Sequence, residues 1–105
     1  MREKILSIIN HYKINNQLKK FAEEHYELVE AIFQYEAQKE ACENVGCNIL
    51  HLGKCEEHIA EEIADCYVMI EQFRLYYKIP IELIQVIMRE KINRQLERIS
   101  NEDKM

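Results

Sequence analysis

A chain of 105 residues is the length of one domain, large enough for a core and small enough that a partner subunit would add to its stability. With only two glycines and one proline against abundant Glu, Ile, Leu, Lys and Gln, the composition argues for helices and excludes a turn-rich β fold. The formal net charge of -5 argues against binding a nucleic-acid backbone, which needs a broad basic face, and no apolar run is long enough to span a membrane.

The segment MREKILSIINHYK at the N-terminus has neither the apolar core nor the cleavage site of a secretion signal, so the chain reads as cytoplasmic, with its four cysteines as reduced thiols. Within it, Ile5, Leu6, Ile8, Ile9 and Tyr12 make a short amphipathic helix that ends in the KINN run at 13–16, where Asn15 or Asn16 can cap the next helix. From Gln17 to about Lys39, Leu18, Phe21, His25, Leu28, Ile32 and Tyr35 recur at helical steps and predict one buried face, with His25 as a hydrogen-bonded core or interface residue. Gln17, Lys20, Glu24, Glu27 and Ala31 form the adjoining stripe.

Between Glu40 and Lys54 the periodicity fails and both glycines occur, which predicts a long connection. Helical spacing resumes from Glu56 to about Tyr77, with Ile59, Ile63, Cys66, Ile70 and Phe73 on one face and His58, Glu62, Asp65 and Met69 on its flank. Pro80 breaks that helix and suits the first turn of another, which runs to about Ser100 with Ile81, Ile84, Met88, Ile92 and Ile99 inward. Ile87, Lys91, Arg94 and Arg98 form a neighbouring stripe that turns basic. The whole, residues 1–105, reads as a single all-α domain, a bundle of about four helices.

The chemistry sits in two acidic pairs. Glu24 with Glu27, and Glu62 with Asp65, are each three residues apart, so each pair faces one neighbour from its own helix. Two such helices side by side pool four carboxylates, which repel one another unless a cation binds among them. Hard oxygen ligands suit Mg²⁺, with Mn²⁺ as the alternative, while a helical di-iron site needs a Glu-x-x-His that this chain lacks. Solvated ion pairing with Lys20 or with the C-terminal cations is the plainer reading of the same carboxylates. Cys42, Cys47, His51, Cys55 and His58 also cluster, but their spacing fits no standard zinc finger, and they read as ordinary loop and helix-start residues.

Glu23-Glu24-His-Tyr-Glu27-Leu28 followed by Glu62-Ile-Ala-Asp65 resembles the EExxE…ExxD signature of the MazG-type all-α nucleoside triphosphate pyrophosphohydrolases. Gln17, the run from Glu61 to Phe73 and the basic segment KINRQLERI extend the resemblance over roughly residues 15–100. It implies a helical bundle, homodimeric or homotetrameric, that hydrolyses a nucleoside or deoxynucleoside triphosphate to monophosphate and pyrophosphate. It implies Mg²⁺ on Glu24, Glu27, Glu62 and Asp65, with Glu23 and Glu61 orienting the attacking water. Gln17, Lys91, Arg94 and Arg98 would bind the substrate. A second register of the basic motif would use Arg89, Asn93 and Arg94 instead. The rival reading from another class is a non-catalytic MazG-like interaction or regulatory protein, and a third is a nucleic-acid binder using the basic stripe at 89–98.

Overall fold

Lys13 makes the first corner. In the computed structural model, which describes residues 1–45 and 49–104, this residue alone separates α1 (Arg2–Tyr12) from α2 (Ile14–Val45). Its backbone is at φ 74°, ψ 151°; its N–H donates to the Ile9 carbonyl, and its own carbonyl accepts the Gln17 N–H. Helix α2 therefore starts before the asparagines expected to cap it. Asn16 instead turns its Nδ2 back onto the Tyr12 carbonyl at 2.7 Å and closes the end of α1.

Helices α2 and α3 (Ile49–Tyr76) run antiparallel and form the body of the fold, with Gln17 opposite Gln72, Phe21 edge-on to Phe73 at 5.5 Å, and Tyr35 donating to Glu56 at 3.1 Å. The long connection expected over 40–54 is a correction: α2 continues to Val45 and α3 begins at Ile49. Gly46, Cys47 and Asn48 lie outside the described residues. The reason is physical. Ala37, Gln38, Lys39, Glu40 and Ala41 are exposed, so this end of the hairpin has no buried face to write a periodicity into the sequence; they are strong helix formers, and propensity carries the helix on. Gly53 has open space where a side chain would stand and is simply tolerated inside α3.

Helix α1 lies on both long helices, more extensively on α3. Ile9, 1% exposed, is its anchor, with Ile5 beside it, and they share the core with Ala31, Cys66, Met69 and Leu75. Truncation of a side chain this buried in so small a core costs about 2–5 kcal/mol, so Ile9→Ala should unfold at markedly lower denaturant with an unchanged m-value, a shift read by urea melts followed by circular dichroism.

At the far end of α3 the chain turns through Lys78, left-handed at φ 57°, with the Ile79 N–H returning to the Arg74 carbonyl. Arg74 fastens the turn: its Nε donates to both oxygens of Glu71 at 3.0 Å, its Nη2 also pairs with Glu71, and its Nη1 donates to the Ile79 carbonyl at 2.9 Å. The hydrogen bond from Arg74 holds the Glu71 carboxyl below its usual range. Pro80 then stands at the N-cap of α4 (Ile81–Asp103).

Helix α4 departs from expectation. Its inward set, Ile81, Met88, Ile92 and Ile99, is exposed, with Ile84 half-buried, and α4 makes no extensive packing with α1, α2 or α3. On the other helices Leu18, His25, Ile32, Ile63 and Ile70, also expected inside, are exposed as well. A radius of gyration of 18.3 Å records the consequence; a compact chain of this length would have about 13 Å.

Candidate metal centre and the adjoining pocket

The antiparallel register of α2 and α3 puts the two acidic stripes face to face. Glu24, Glu62 and Asp65 each bring a carboxylate oxygen within 4.8 Å of the others, with Glu24 and Glu62 buried and Asp65 exposed. Among the described residues this is the one such cluster of potential metal-ligating groups. Lys20 pairs with Glu24 Oε1 at 3.0 Å, the ion pair that a plain surface reading expects. It does not satisfy the cluster. Glu24 Oε2 and Glu62 Oε2 are buried and have no hydrogen-bond partner, an arrangement that costs free energy unless something positive reaches them.

Electrostatics point the same way. Burial raises the Glu62 pKa above the ordinary carboxylate range, and the charges of Glu27, Glu24 and Asp65 add to it, while His58 opposes them. The imidazole of His58 has its Nε2 3.9 Å from Glu62 and its Nδ1 4.0 Å from Glu61. Glu27 is exposed and outside the tight cluster, yet it is the foremost of the charges acting on Glu62. A cation with a preference for oxygen fits this donor set: two buried carboxylates with unused oxygens, a third at the rim, and a fourth charge close by. Cys42, Cys55 and His58 form no comparable grouping, and Cys47 and the side chain of His51 lie outside the described residues.

Beside the cluster an open pocket of about 590 Å³ is bounded by α1, α2 and α3. Ile8, Tyr12, Val68 and Met69 supply apolar wall, and Asn16, Gln17 and Gln72 supply amides. Gln17 is buried, and its Nε2 donates to Gln72 Oε1 at 2.7 Å. Gln72, 1% exposed, in turn points its Nε2 at the Met69 sulfur at 3.6 Å. Each amide thereby holds the other in one orientation.

Of the expected site residues, Gln17, Glu23, Glu24 and Asp65 line this pocket, while Glu61 is exposed beside His58. Lys91, Arg94 and Arg98 do not reach it: together with Gln95 they line a separate shallow groove on α4. Arg89 and Asn93 of the second register are exposed on the same helix.

Gln72 and the α1 residues are parts of the site that the sequence reading does not single out. A signal for Gln72 exists, since Glu62, Asp65, Met69 and Gln72 continue one stripe at helical steps. Nothing in α1 indicates a pocket wall, because only tertiary packing lays that helix across the other two. Among the described residues no helix is long and apolar enough to cross a membrane. Compared with known proteins, the chain matches no family model, no curated protein and no solved structure.

Proposed function

We propose that this chain is a cytoplasmic, MazG-like pyrophosphohydrolase that converts a nucleoside or deoxynucleoside triphosphate to the monophosphate and pyrophosphate with Mg²⁺, or alternatively Mn²⁺, and works as a homodimer or homotetramer. The observation that carries the reading is the buried Glu24–Glu62–Asp65 cluster with unpartnered oxygens, opening on a pocket large enough for a nucleoside. A wholly structural acidic patch gains nothing from burying carboxylates that find no partner. The EExxE…ExxD spacing joins that geometry to a chemistry.

Glu24, Glu62 and Asp65, with Glu27 adjacent, would hold the cation, which supplies charge for the phosphate oxygens and a more acidic water. Glu23, which lines the pocket, would orient a water for attack on the α-phosphorus and take its proton; Glu61, 4.0 Å from His58, is the second candidate. The nucleoside lies against Ile8, Val68 and Met69, where the Gln17–Gln72 amides meet its polar edge. Lys91, Arg94 and Arg98, which the resemblance makes substrate ligands, line a separate groove on α4 and would serve the phosphates only if α4 were brought to the pocket.

The test is pyrophosphate release from a panel of ribo- and deoxynucleoside triphosphates, in Mg²⁺ and in EDTA, by the parent and by Asp65→Asn. Losing one ligand removes several kcal/mol of transition-state stabilisation, so the variant should be slower by roughly 100- to 1,000-fold while keeping its helical content. Release that continues in EDTA, or that Asp65→Asn leaves intact, would overturn the reading. Folded protein that releases nothing from any triphosphate, and whose stability ignores Mg²⁺, would favour the non-catalytic interaction protein, to which the exposed apolar face of α4 also points.

A further inference from the structure

The two buried carboxylates of the cluster are approached in the same manner on their two helices. Lys20 stands one turn before Glu24 on α2 and pairs with its Oε1 at 3.0 Å; His58 stands one turn before Glu62 on α3, with Nε2 3.9 Å from its Oε1. The other oxygen of each, Oε2, is buried and without a hydrogen-bond partner. Lys20 and His58 are themselves half-exposed, while the carboxylate side chains they approach are only 9% and 10% exposed.

Helix stability does not account for this order. A cation four residues before an acid is the less favourable arrangement of an i,i+4 pair, and a half-exposed pair contributes little in any case. What the pair fixes is the carboxylate. With Oε1 of Glu24 on the ammonium of Lys20, Oε2 is the oxygen left for the interior of the cluster. His58 makes the same division on Glu62 through a looser contact. Outer partners of this kind orient metal-binding carboxylates. The orientation bears on cation size: Mg²⁺ demands near-ideal octahedral geometry and keeps several waters, whereas the larger Ca²⁺ readily takes both oxygens of one carboxylate.

We propose that Lys20 is a positioning residue for the metal centre: by occupying Glu24 Oε1 it leaves that carboxylate a single oxygen for the cluster, and so favours a small octahedral cation over one that binds carboxylates through both oxygens. His58 is its weaker counterpart on α3. This rests on the proposed binding of a cation at the cluster, and not on the hydrolysis. It assigns the choice between divalent cations to a side chain that is not itself a ligand.

Mn²⁺ and Ca²⁺ titrated calorimetrically into the metal-free full chain test this, with the parent compared with Lys20→Met, Lys20→Arg and Lys19→Met. Charge and position give different results. Removing a positive charge beside an acidic cluster strengthens the binding of both divalent cations alike, and Lys19→Met, at the same pocket, measures that effect. Lys20→Met also frees the second oxygen of Glu24, so the preference for Mn²⁺ over Ca²⁺ should fall by about tenfold from the parent's. Lys20→Arg, which keeps a donor in reach of Oε1, should restore it. Because Lys20 is half-exposed, the variants should keep the parent's helical circular dichroism. A preference that Lys20→Met leaves unchanged, that Lys19→Met shifts as far, or that Lys20→Arg fails to restore would overturn the positioning role and leave the metal centre standing. No binding of either cation, by the parent or by any variant, would overturn the metal centre and the role of Lys20 with it.

Discussion

Replacing Glu62 with glutamine is expected to abolish metal-dependent turnover and, in the absence of a cation, to raise the melting temperature. Both effects follow from the same carboxylate. Glu62 is buried, one of its oxygens has no partner, and the charges of Glu27, Glu24 and Asp65 bear on it. An amide of the same shape removes a charge from that group and leaves the packing in place, so the folded chain loses a repulsion while the unfolded chain, in water, loses little. For a cation the exchange is adverse, because an amide oxygen is a weaker ligand than a carboxylate and the net charge of the cluster falls. Thermal unfolding in EDTA and pyrophosphate release in Mg²⁺, measured on one preparation, show whether gain and loss come together. A variant less stable than the parent in EDTA would mean that the ionised carboxylate is held by contacts other than those described.

The second expectation concerns pH, and its direction depends on whether a cation is present. The folded pKa of Glu62 is raised above its unfolded value. Between the two values folding takes up a proton, so the contribution of this group is most favourable at lower pH and is lost as pH rises through the folded pKa. A cation binds the ionised form and competes with that proton, so its affinity rises over the same interval. In EDTA, stability should fall as pH rises through the raised pKa of Glu62; in saturating Mg²⁺ the fall should flatten or reverse. At a hundredfold excess over the dissociation constant, linkage adds about 2.7 kcal/mol, enough to resolve by scanning calorimetry. Glu71 does not confuse the comparison, because its pKa is lowered and its contribution is lost only at more acid pH, as pH falls through that lowered value. Parallel stability profiles with and without Mg²⁺ would rule out cation binding at the cluster.

How much of this is legible in the sequence? Three of the four paired carboxylates are legible, because a spacing of three on a helix gives each pair a shared side and the antiparallel hairpin then brings Glu24 to Glu62 and Asp65; Glu27, exposed one turn on, stays outside that group. The burial of Gln17 in an amide pair is not legible, since its partner Gln72 lies on another helix. The facing ends of α2 and α3 pass for a loop because apolar periodicity reports burial, and those turns bury little. Helix α4 illustrates the converse. Its apolar positions recur from Ile81 through Met88 and Ile92 to Ile99, yet a regular stripe marks a helix without saying that its own chain packs on it, and here these positions are exposed.

Cys66 lies buried on α3, between Glu62 and Met69 in the chain, and burial pushes its thiol pKa up, with Glu24, Glu62, Asp65 and Glu27 adding to the effect. The nucleophile in any oxidation or alkylation is the thiolate, and here the same negative field that invites a cation suppresses it. Burial first, and the carboxylates in addition, keep the Cys66 sulfur protonated, so this thiol on the helix that carries Glu62 and Asp65 should resist alkylation.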